Sequence, residues 1–120
     1  MKVIDAKTCK KLALPGRNVT FIATPRSCGI QEMVVCLTEI PQGSELPYHT
    51  HDGAAEVMYV ESGTGEAVID DAVCVVHEGS TICVPKAAKH TVRNTGTGSL
   101  HMVCAFSPAI DTSAYESQAK

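Results

Sequence analysis

The chain has 120 residues, a formal net charge of −3, 44% hydrophobic residues and 19% charged residues. This length predicts a single domain, residues 1–120, with one hydrophobic core. The negative charge and the absence of a lysine- or arginine-rich run argue against nucleic acid or an anionic membrane as a partner. No stretch approaches the ~20 apolar residues of a membrane span. The N-terminus also lacks the apolar segment of a signal peptide, so we expect a cytoplasmic protein.

β-Branched residues dominate the composition. The sequence contains 13 Val, 7 Ile and 11 Thr against 5 Leu, and aromatic residues make up only 4%. Side chains that branch at Cβ are stiff and favour pleated strands over helices. The composition therefore predicts an all-β domain whose core is built from small side chains.

Short candidate strands separated by turn signals follow one another along the chain. Pro, Gly, Ser, Asn and Asp cluster between them, and intervals of about 8–12 residues are typical of a sandwich or a barrel. Residues 66–76 predict two strands joined by a tight two-residue turn. The predicted strands are Asn18–Thr24, Gln31–Ile40, Tyr48–His51, Val57–Glu61, Glu66–Asp70, Ala72–His77, Thr81–Val84, Thr91–Asn94 and Leu100–Ser107.

The C-terminal segment departs from this pattern. Ser113 and Glu116 have the S-x-x-E spacing of a capping box, so residues 112–118 predict a short helix. Because Tyr115 is nearly its only apolar anchor, such a helix would be marginal in isolation.

The six cysteines do not have the spacing of a zinc ribbon or of a CxxC redox site. Free cysteine commonly packs as a small buried hydrophobe. Cys9 and Cys28 lie in more polar surroundings and are the candidates for a reactive thiol. The other four lie within apolar runs and predict inert core thiols: Cys36, Cys74, Cys83 and Cys104.

Three residues in the middle of the chain have the side chains of a transition-metal site. His49 and His51 are two positions apart, so in a strand both imidazoles would face the same side, about 6–7 Å apart along the backbone. Glu56 could add a carboxylate from the next strand. Neutral imidazole and carboxylate together suit Fe, Mn, Ni, Cu or Zn. A His-x-His pair alone is also common on exposed strands, so the surrounding spacing decides between these interpretations.

That spacing resembles the cupin superfamily. From Gly43 to Gly63 the chain matches the first cupin motif, G-x5-H-x-H-x3/4-E-x6-G, at every defined position. From Gly79 to Asn94 it matches the second motif, G-x5-P-x-G-x2-H-x3-N, except that Ala87 replaces the second glycine. Two motifs in this order identify the chain as resembling a small single-domain cupin.

The resemblance implies one double-stranded β-helix, or jelly-roll, barrel with core motifs at 43–63 and 79–94. It also implies one divalent transition metal per chain (Fe, Mn, Ni, Zn or Cu), with positions open to water or substrate. Small cupins commonly pair through sheet edges, so we expect a homodimer in which Val3-Ile4 or Val19–Ala23 extends the partner's sheet. The implied metal ligands are His49, His51, Glu56 and His90.

The alanine at position 87 is the main departure from the motif. If the family glycine has a positive φ, alanine there costs on the order of 1 kcal/mol; otherwise the turn differs. Both alternatives concern the loop before His90 rather than its role as a ligand.

Strand alternation predicts a mostly apolar cavity beside the metal. If Glu56 points inward, so do Met58 and Val60, and an inward His90 brings Val92 with it. The remaining lining candidates are Met33 or Val34, Val35 or Cys36, and Met102 or Val103.

Polar groups of the cavity are harder to assign from the sequence. His101 lies on the last predicted strand and is the candidate acid–base residue, but strand parity leaves open whether it reaches the cavity or stays outside. No convergent basic pair can be identified, since Arg93 faces away from His90 by parity and Arg26 lies in a loop.

The predicted function is that of a metal-dependent enzyme acting on a small organic metabolite. No carboxylate other than Glu56 is securely placed as a general base, which favours dioxygenase-type chemistry in which the metal does most of the work. The alternatives are a non-catalytic cupin that binds a metal or a small ligand, and an isomerase or lyase, such as a sugar isomerase or epimerase.

Overall fold

Two antiparallel sheets make up the fold in residues 2–51 and 53–119, which the computed structural model describes. The strands of these residues are β1 (Lys11–Leu14), β2 (Arg17–Ala23), β3 (Val34–Ile40), β4 (Ala55–Ser62), β5 (Thr64–Ile69), β6 (Ala72–His77), β7 (Thr81–Val84), β8 (His90–Asn94) and β9 (Leu100–Ser107). The larger sheet has the order β1-β2-β3-β9-β4-β7, and the smaller has the order β6-β5-β8.

These strands confirm the predicted all-β jelly roll. β6, β7 and β9 coincide with the predicted ranges, and β2, β4, β5 and β8 differ from theirs by one or two residues at one or both ends. β3 begins at Val34 instead of Gln31. The sequence prediction missed β1, which alternates over only four residues and is defined by its pairing with β2.

The segment Tyr48–His51, predicted as a strand, is not a regular strand. Its backbone pairs with β8 through an isolated bridge between His49 and His90. The His49 amide donates to the His90 carbonyl at 3.0 Å, and the His90 amide donates back at 2.8 Å. Because the bridge is a single pair, the segment is not a regular strand, but it sets the two histidines side by side.

Short helices lie outside the sheets. A 3-10 turn spans Ala6–Thr8, and α1 (Pro25–Cys28) occupies a segment predicted as a turn. The predicted C-terminal helix is confirmed as α2 (Ser113–Gln118), but Ser113 is not its N-cap. The Ser113 hydroxyl instead donates to the Asp111 carboxylate at 2.7 Å. Within the residues described, no helix has the length and apolar character to span a membrane.

The core lies between the two sheets and is lined by alternate residues of the strands. β3 and β9 show this alternation over their whole length. Their inward apolar side chains, together with those of β4 and β8, exclude water. The largest fully buried side chains are Ile40, Met58, Leu100, Met102, His90, Val34, Val60, Val92 and Cys104.

The prediction of four buried cysteines is correct for Cys36 and Cys104 and wrong for Cys74 and Cys83, which are exposed. β7 turns Ile82 and Val84 inward, so Cys83 faces outward. Cys74 is exposed because β6 is an edge strand of the smaller sheet. Apolar neighbours indicate a strand, but they do not tell which face a residue occupies.

The edges of the larger sheet bear on the expected strand exchange. β2 pairs with β3 as far as Ala23 but with β1 only as far as Thr20, so β1 does not cover the second edge of residues 21–23. The edges of this sheet are β1 and β7. Val3 is 86% exposed and precedes the first strand, so Val3-Ile4 keeps its predicted role as a candidate for exchange.

Candidate metal centre

Four predicted side chains converge at one point between the sheets. Their ligand atoms, from His49, His51, Glu56 and His90, all lie within 4.8 Å of one another. The Nε2 atoms of His49 and His51 are 3.0 Å apart, and His90 Nε2 is 3.1 Å from Glu56 Oε1. Glu56 and His90 are buried, whereas His49 and His51 are half-buried. The cluster therefore has a buried side and an accessible side.

Backbone carbonyls orient two of the imidazoles. Nδ1 of His90 donates to the Ala88 carbonyl at 3.0 Å, and Nδ1 of His49 donates to the Pro47 carbonyl. A carbonyl oxygen can only accept, so the proton of each neutral ring is on Nδ1 and the Nε2 lone pair faces the cluster. Metal-binding histidines are commonly oriented by such a hydrogen bond from the second ring nitrogen.

The donor set fits a divalent transition metal. With its proton on Nδ1, His90 presents an acceptor atom to Glu56 Oε1, also an acceptor, in a buried site. Such a contact is stable only when a proton or a metal ion supplies positive charge between the two atoms. Three imidazole nitrogens and one carboxylate oxygen are ligands that Fe, Mn, Ni, Cu and Zn accept. The cluster could therefore hold one such ion.

The two oriented histidines have opposite pKa shifts. Burial disfavours the charged form of His90, but hydrogen bonds with Glu56 and Ala88 outweigh this and raise its pKa. Burial lowers the pKa of His49; the Pro47 carbonyl opposes this effect, while the charges of His90 and Arg17 add to it. A positive charge is thus favoured on His90, beside Glu56, and disfavoured on His49.

His101, the candidate acid–base residue, lies outside the cavity. It stands on β9 between Leu100 and Met102, which are both buried, so its side chain faces outward. The imidazole is 48% exposed, and its Nε2 lies 3.9 Å from a carboxylate oxygen of Glu39. Of the two locations that strand parity left open, the structure therefore shows the outer one, and His101 is not an acid–base residue of the cavity.

A narrow cavity extends from the cluster. Met58 lines it as predicted, and of the paired alternatives Cys36 faces inward rather than Val35. Val34 and Met102 are buried instead of Met33 and Val103. Both of these residues, like Val60 and Val92, belong to the packed core and do not line the cavity, contrary to the prediction. The lining is Arg17, Val19, Phe21, Cys36, Thr38, Leu46, His49, His51, Glu56, Met58, Cys104, Phe106 and Tyr115.

The sequence analysis missed several of these lining residues, among them Arg17 and Tyr115. The Tyr115 ring packs edge-on against Phe21, with centroids 5.4 Å apart, and Arg17 Cζ lies 5.9 Å from the Tyr115 centroid. Burial and the charge of Glu56 raise the pKa of Tyr115 to about 12. Strand parity could have indicated Arg17, because it has the same parity in β2 as Val19 and Phe21. No local signal indicated Tyr115.

The match to a family model decides the family. The model, described as a cupin domain, matches residues 36–106, which include all four residues of the cluster. The chain belongs to the cupin family. Protein SchB of Streptomyces halstedii is 27% identical to this cupin over 93 residues, which make up 78% of this chain and 67% of SchB.

Solved structures show the same fold. The ectoine synthase from P. lautus matches with a TM-score of 0.83 at 18% identity, over 99% of this cupin and 87% of that chain. The polyketide cyclase RemF from Streptomyces resistomycificus matches with a TM-score of 0.76 at 18% identity, over 89% of this cupin and 79% of that chain. At these identities the likeness concerns the fold, and it confirms the jelly roll.

Cys36 and Cys104 lie opposite each other in the β3–β9 ladder of this cupin and line the cavity. The Cys104 thiol donates to the Thr38 hydroxyl at 3.5 Å. A hydrogen bond with Cys36, together with burial, raises the pKa of the Cys104 thiol. The nucleophilic thiolate is therefore disfavoured at Cys104, in agreement with a packing role.

The departure at position 87 has a backbone consequence. Ala87 has a φ of +64°, so the first of the two alternatives for this turn is correct. Its amide donates to the His51 carbonyl at 3.3 Å, and the amide of Ala88 donates to the Pro85 carbonyl at 3.2 Å. The turn thus connects the loop before His90 to the backbone of His51. It does so with a residue that carries a side chain, Ala87, in the left-handed backbone conformation.

Replacing Ala87 by glycine is expected to stabilise this cupin by about 1 kcal/mol, because glycine reaches positive φ without a steric cost. Chemical denaturation measures the change. Ala88→Gly is the matched control, because Ala88 is buried and does not have a positive φ. The free energy of unfolding of this variant should fall by about 0.5–1 kcal/mol. Equal losses in both variants would contradict the assignment of strain to position 87.

Proposed function

We propose that this cupin is a metal-dependent enzyme that acts on a small organic metabolite. The supporting observation is the asymmetry of the cluster: His90 is buried and does not line the cavity, while His49, His51 and Glu56 border it. A metal held by these four side chains would have protein on one side and the cavity on the other. Open coordination positions of this kind distinguish catalytic sites from closed structural ones.

Dioxygenase-type chemistry is the first reaction class we propose. A redox-active Fe, Mn or Cu ion, when bound, supplies dioxygen activation, and any of the divalent ions supplies Lewis acidity. Among the described residues, Glu56 is the only carboxylate that lines the inner cavity, and it already contacts His90 at 3.1 Å. The cavity thus offers no second carboxylate as a general base, and its apolar walls limit the access of water.

Carbonyl chemistry without dioxygen is the second reaction class. The observation that favours it is the likeness to the polyketide cyclase RemF and to an ectoine synthase. In such a reaction a metal ion held by the same four side chains would polarise a carbonyl group of the substrate. Non-catalytic binding of a metal or a small ligand is the outcome to expect if neither reaction class is observed.

The ligand assignment predicts one metal ion per chain in protein purified without added metal, measured by inductively coupled plasma mass spectrometry. His49→Ala and His90→Ala should each lower the metal affinity by about tenfold or more, since each removes one donor atom. His101→Ala is the control, because this imidazole lies outside the cavity. Full metal content in both ligand variants would contradict the assignment.

The reaction class is tested by following dioxygen consumption with candidate catechols, diketones and thiols. Dioxygenase chemistry predicts the uptake of one dioxygen molecule per substrate molecule consumed. The His90→Ala variant should lose this uptake together with the metal. Parallel anaerobic assays provide the contrast. Turnover that proceeds equally without dioxygen would exclude the first class and favour carbonyl chemistry.

We also propose that this cupin forms a homodimer. The outer face of the larger sheet supports the proposal: Val57 and Tyr59 are 44% and 46% exposed. Val103, on the same face, lies opposite both Leu37 and Tyr59 in the ladders of β9 with β3 and β4. Leu37 and Val103 are half-buried, so exposed and half-buried apolar side chains continue across three strands, which is typical of an interaction surface.

Light scattering should give the mass of a dimer, and Tyr59→Lys should shift it toward the monomer because a charge would be buried in the interface. Val73→Lys is the control. Val73 is 58% exposed on the smaller sheet, so this variant should remain a dimer. A monomeric wild-type protein at micromolar concentration would refute the proposal.

A further inference from the structure

Arg17 stands where the cavity of the metal centre meets the surface. An outer cleft lies beyond the cavity, lined in part by Pro47, Ile110 and Gln118. Four residues line both spaces and so form the neck between them: Arg17, His49, His51 and Tyr115. A molecule that moves from solvent to the metal ligands passes the Arg17 guanidinium.

The guanidinium is held at the neck without a carboxylate partner. Its Nη1 donates to the Pro15 carbonyl at 2.9 Å, and its Cζ lies 5.9 Å from the centroid of the Tyr115 ring. In residues 2–51 and 53–119, no carboxylate oxygen lies within 4.0 Å of it. Arg93, by contrast, pairs with Glu45 at 3.0 Å.

Among the described residues, the carboxylates that line the two spaces are Glu56 and Asp111, and both have other partners. Glu56, in the inner cavity, contacts His90 at 3.1 Å. Asp111, in the outer cleft, accepts hydrogen bonds from the amide and the hydroxyl of Ser113 at 3.0 and 2.7 Å. The fork of the guanidinium, which binds a carboxylate through two parallel hydrogen bonds, therefore has donor capacity left for a ligand.

Partial burial strengthens the preference for an anion. Arg17 is half-buried, and desolvation lowers the pKa of its guanidinium, although an arginine side chain stays charged in proteins. The apolar side chains around it, including Phe21 and Phe106, reduce the local dielectric constant. A cation in such surroundings attracts an anion more strongly than one in bulk water.

We propose that Arg17 binds an anionic group of the substrate, so that the substrate is a small organic acid with one oxygen group for the metal and a separate carboxylate for Arg17. This inference rests on the proposed metal-dependent function and names the substrate class for the same site. The carboxylate at the neck orients the substrate, and the reacting end extends toward the cluster. A neutral analogue of the same size leaves the guanidinium unpaired and binds more weakly.

The test is a binding measurement on the metal-loaded protein by isothermal titration calorimetry. The probes are succinate and glutarate, each compared with its mono-amide, succinamate or glutaramate, in which one carboxylate becomes a neutral group of similar size. The divalent metal attracts the remaining carboxylate more strongly than the neutral amide oxygen, so the amide takes the position at Arg17. The wild-type protein should bind at least one diacid about tenfold or more tightly than the mono-amide. Arg17→Gln should weaken diacid binding by about 10- to 100-fold and leave mono-amide binding within about twofold.

Two further variants separate a local contact from a general charge effect. Arg17→Lys keeps the charge but loses the fork, so it should retain part of the preference for the diacid. Arg26→Gln removes the same charge from the exposed side chain of α1 and should bind both probes as the wild type does. Circular dichroism and metal content, measured on the same samples, establish that each variant is folded and loaded.

Three results would overturn the inference with the metal site intact: no preference of the wild type for a diacid, wild-type diacid binding by Arg17→Gln, or equal losses in Arg17→Gln and Arg26→Gln. Loss of metal from Arg17→Gln alone would also overturn it, since Arg17 would then support the centre and not the ligand. A wild-type protein without metal is a different failure, because it removes the proposed function on which the inference rests.

Discussion

The contact between Glu56 and His90 is the constraint around which the site is built. A buried carboxylate and a buried imidazole are 3.1 Å apart in an otherwise apolar interior. Leaving either group alone there would carry a large desolvation cost, so each requires the other or a metal ion. This requirement fixes how β4 and β8 face each other across the two sheets, and the His49–His90 bridge then brings the other two imidazoles to the same point.

The small side chains of the core make this arrangement possible. Val and Ala residues make up much of the core, and the alternation of β3, β4 and β9 turns mainly apolar side chains into the layer behind the cluster. The few buried polar groups have partners: the Thr91 hydroxyl donates to the Leu46 carbonyl at 2.6 Å, and the Asn94 amide donates to the Ile40 carbonyl at 2.8 Å. The first bond attaches β8 to the loop before the metal ligands and the second attaches it to the end of β3, so they stiffen the strand that begins at His90.

The accessible side of the centre is built differently from its buried side. Arg17 from β2 and Tyr115 from α2 meet above the histidines, and their contact connects the C-terminal helix to the metal cavity. α2 is short and has no buried residues, so its position depends on a few contacts such as the one between Tyr115 and Phe21. The buried half of the site is suited to holding an ion, and the half at the neck is suited to selecting what reaches it.

The sequence by itself determined most of the strands, because alternation is local, although β1 and the bridge at His49 are defined by their partner strands. Through its resemblance to the two cupin motifs it also indicated the four clustered residues, His49, His51, Glu56 and His90. Only the tertiary structure decided which face each residue occupies. Alternation gives the relative side of neighbouring residues, but the second sheet decides which side is the interior. That is why Cys83 and His101 lie outside, and why Arg17 and Tyr115, which are distant in sequence, meet at the neck of the cavity.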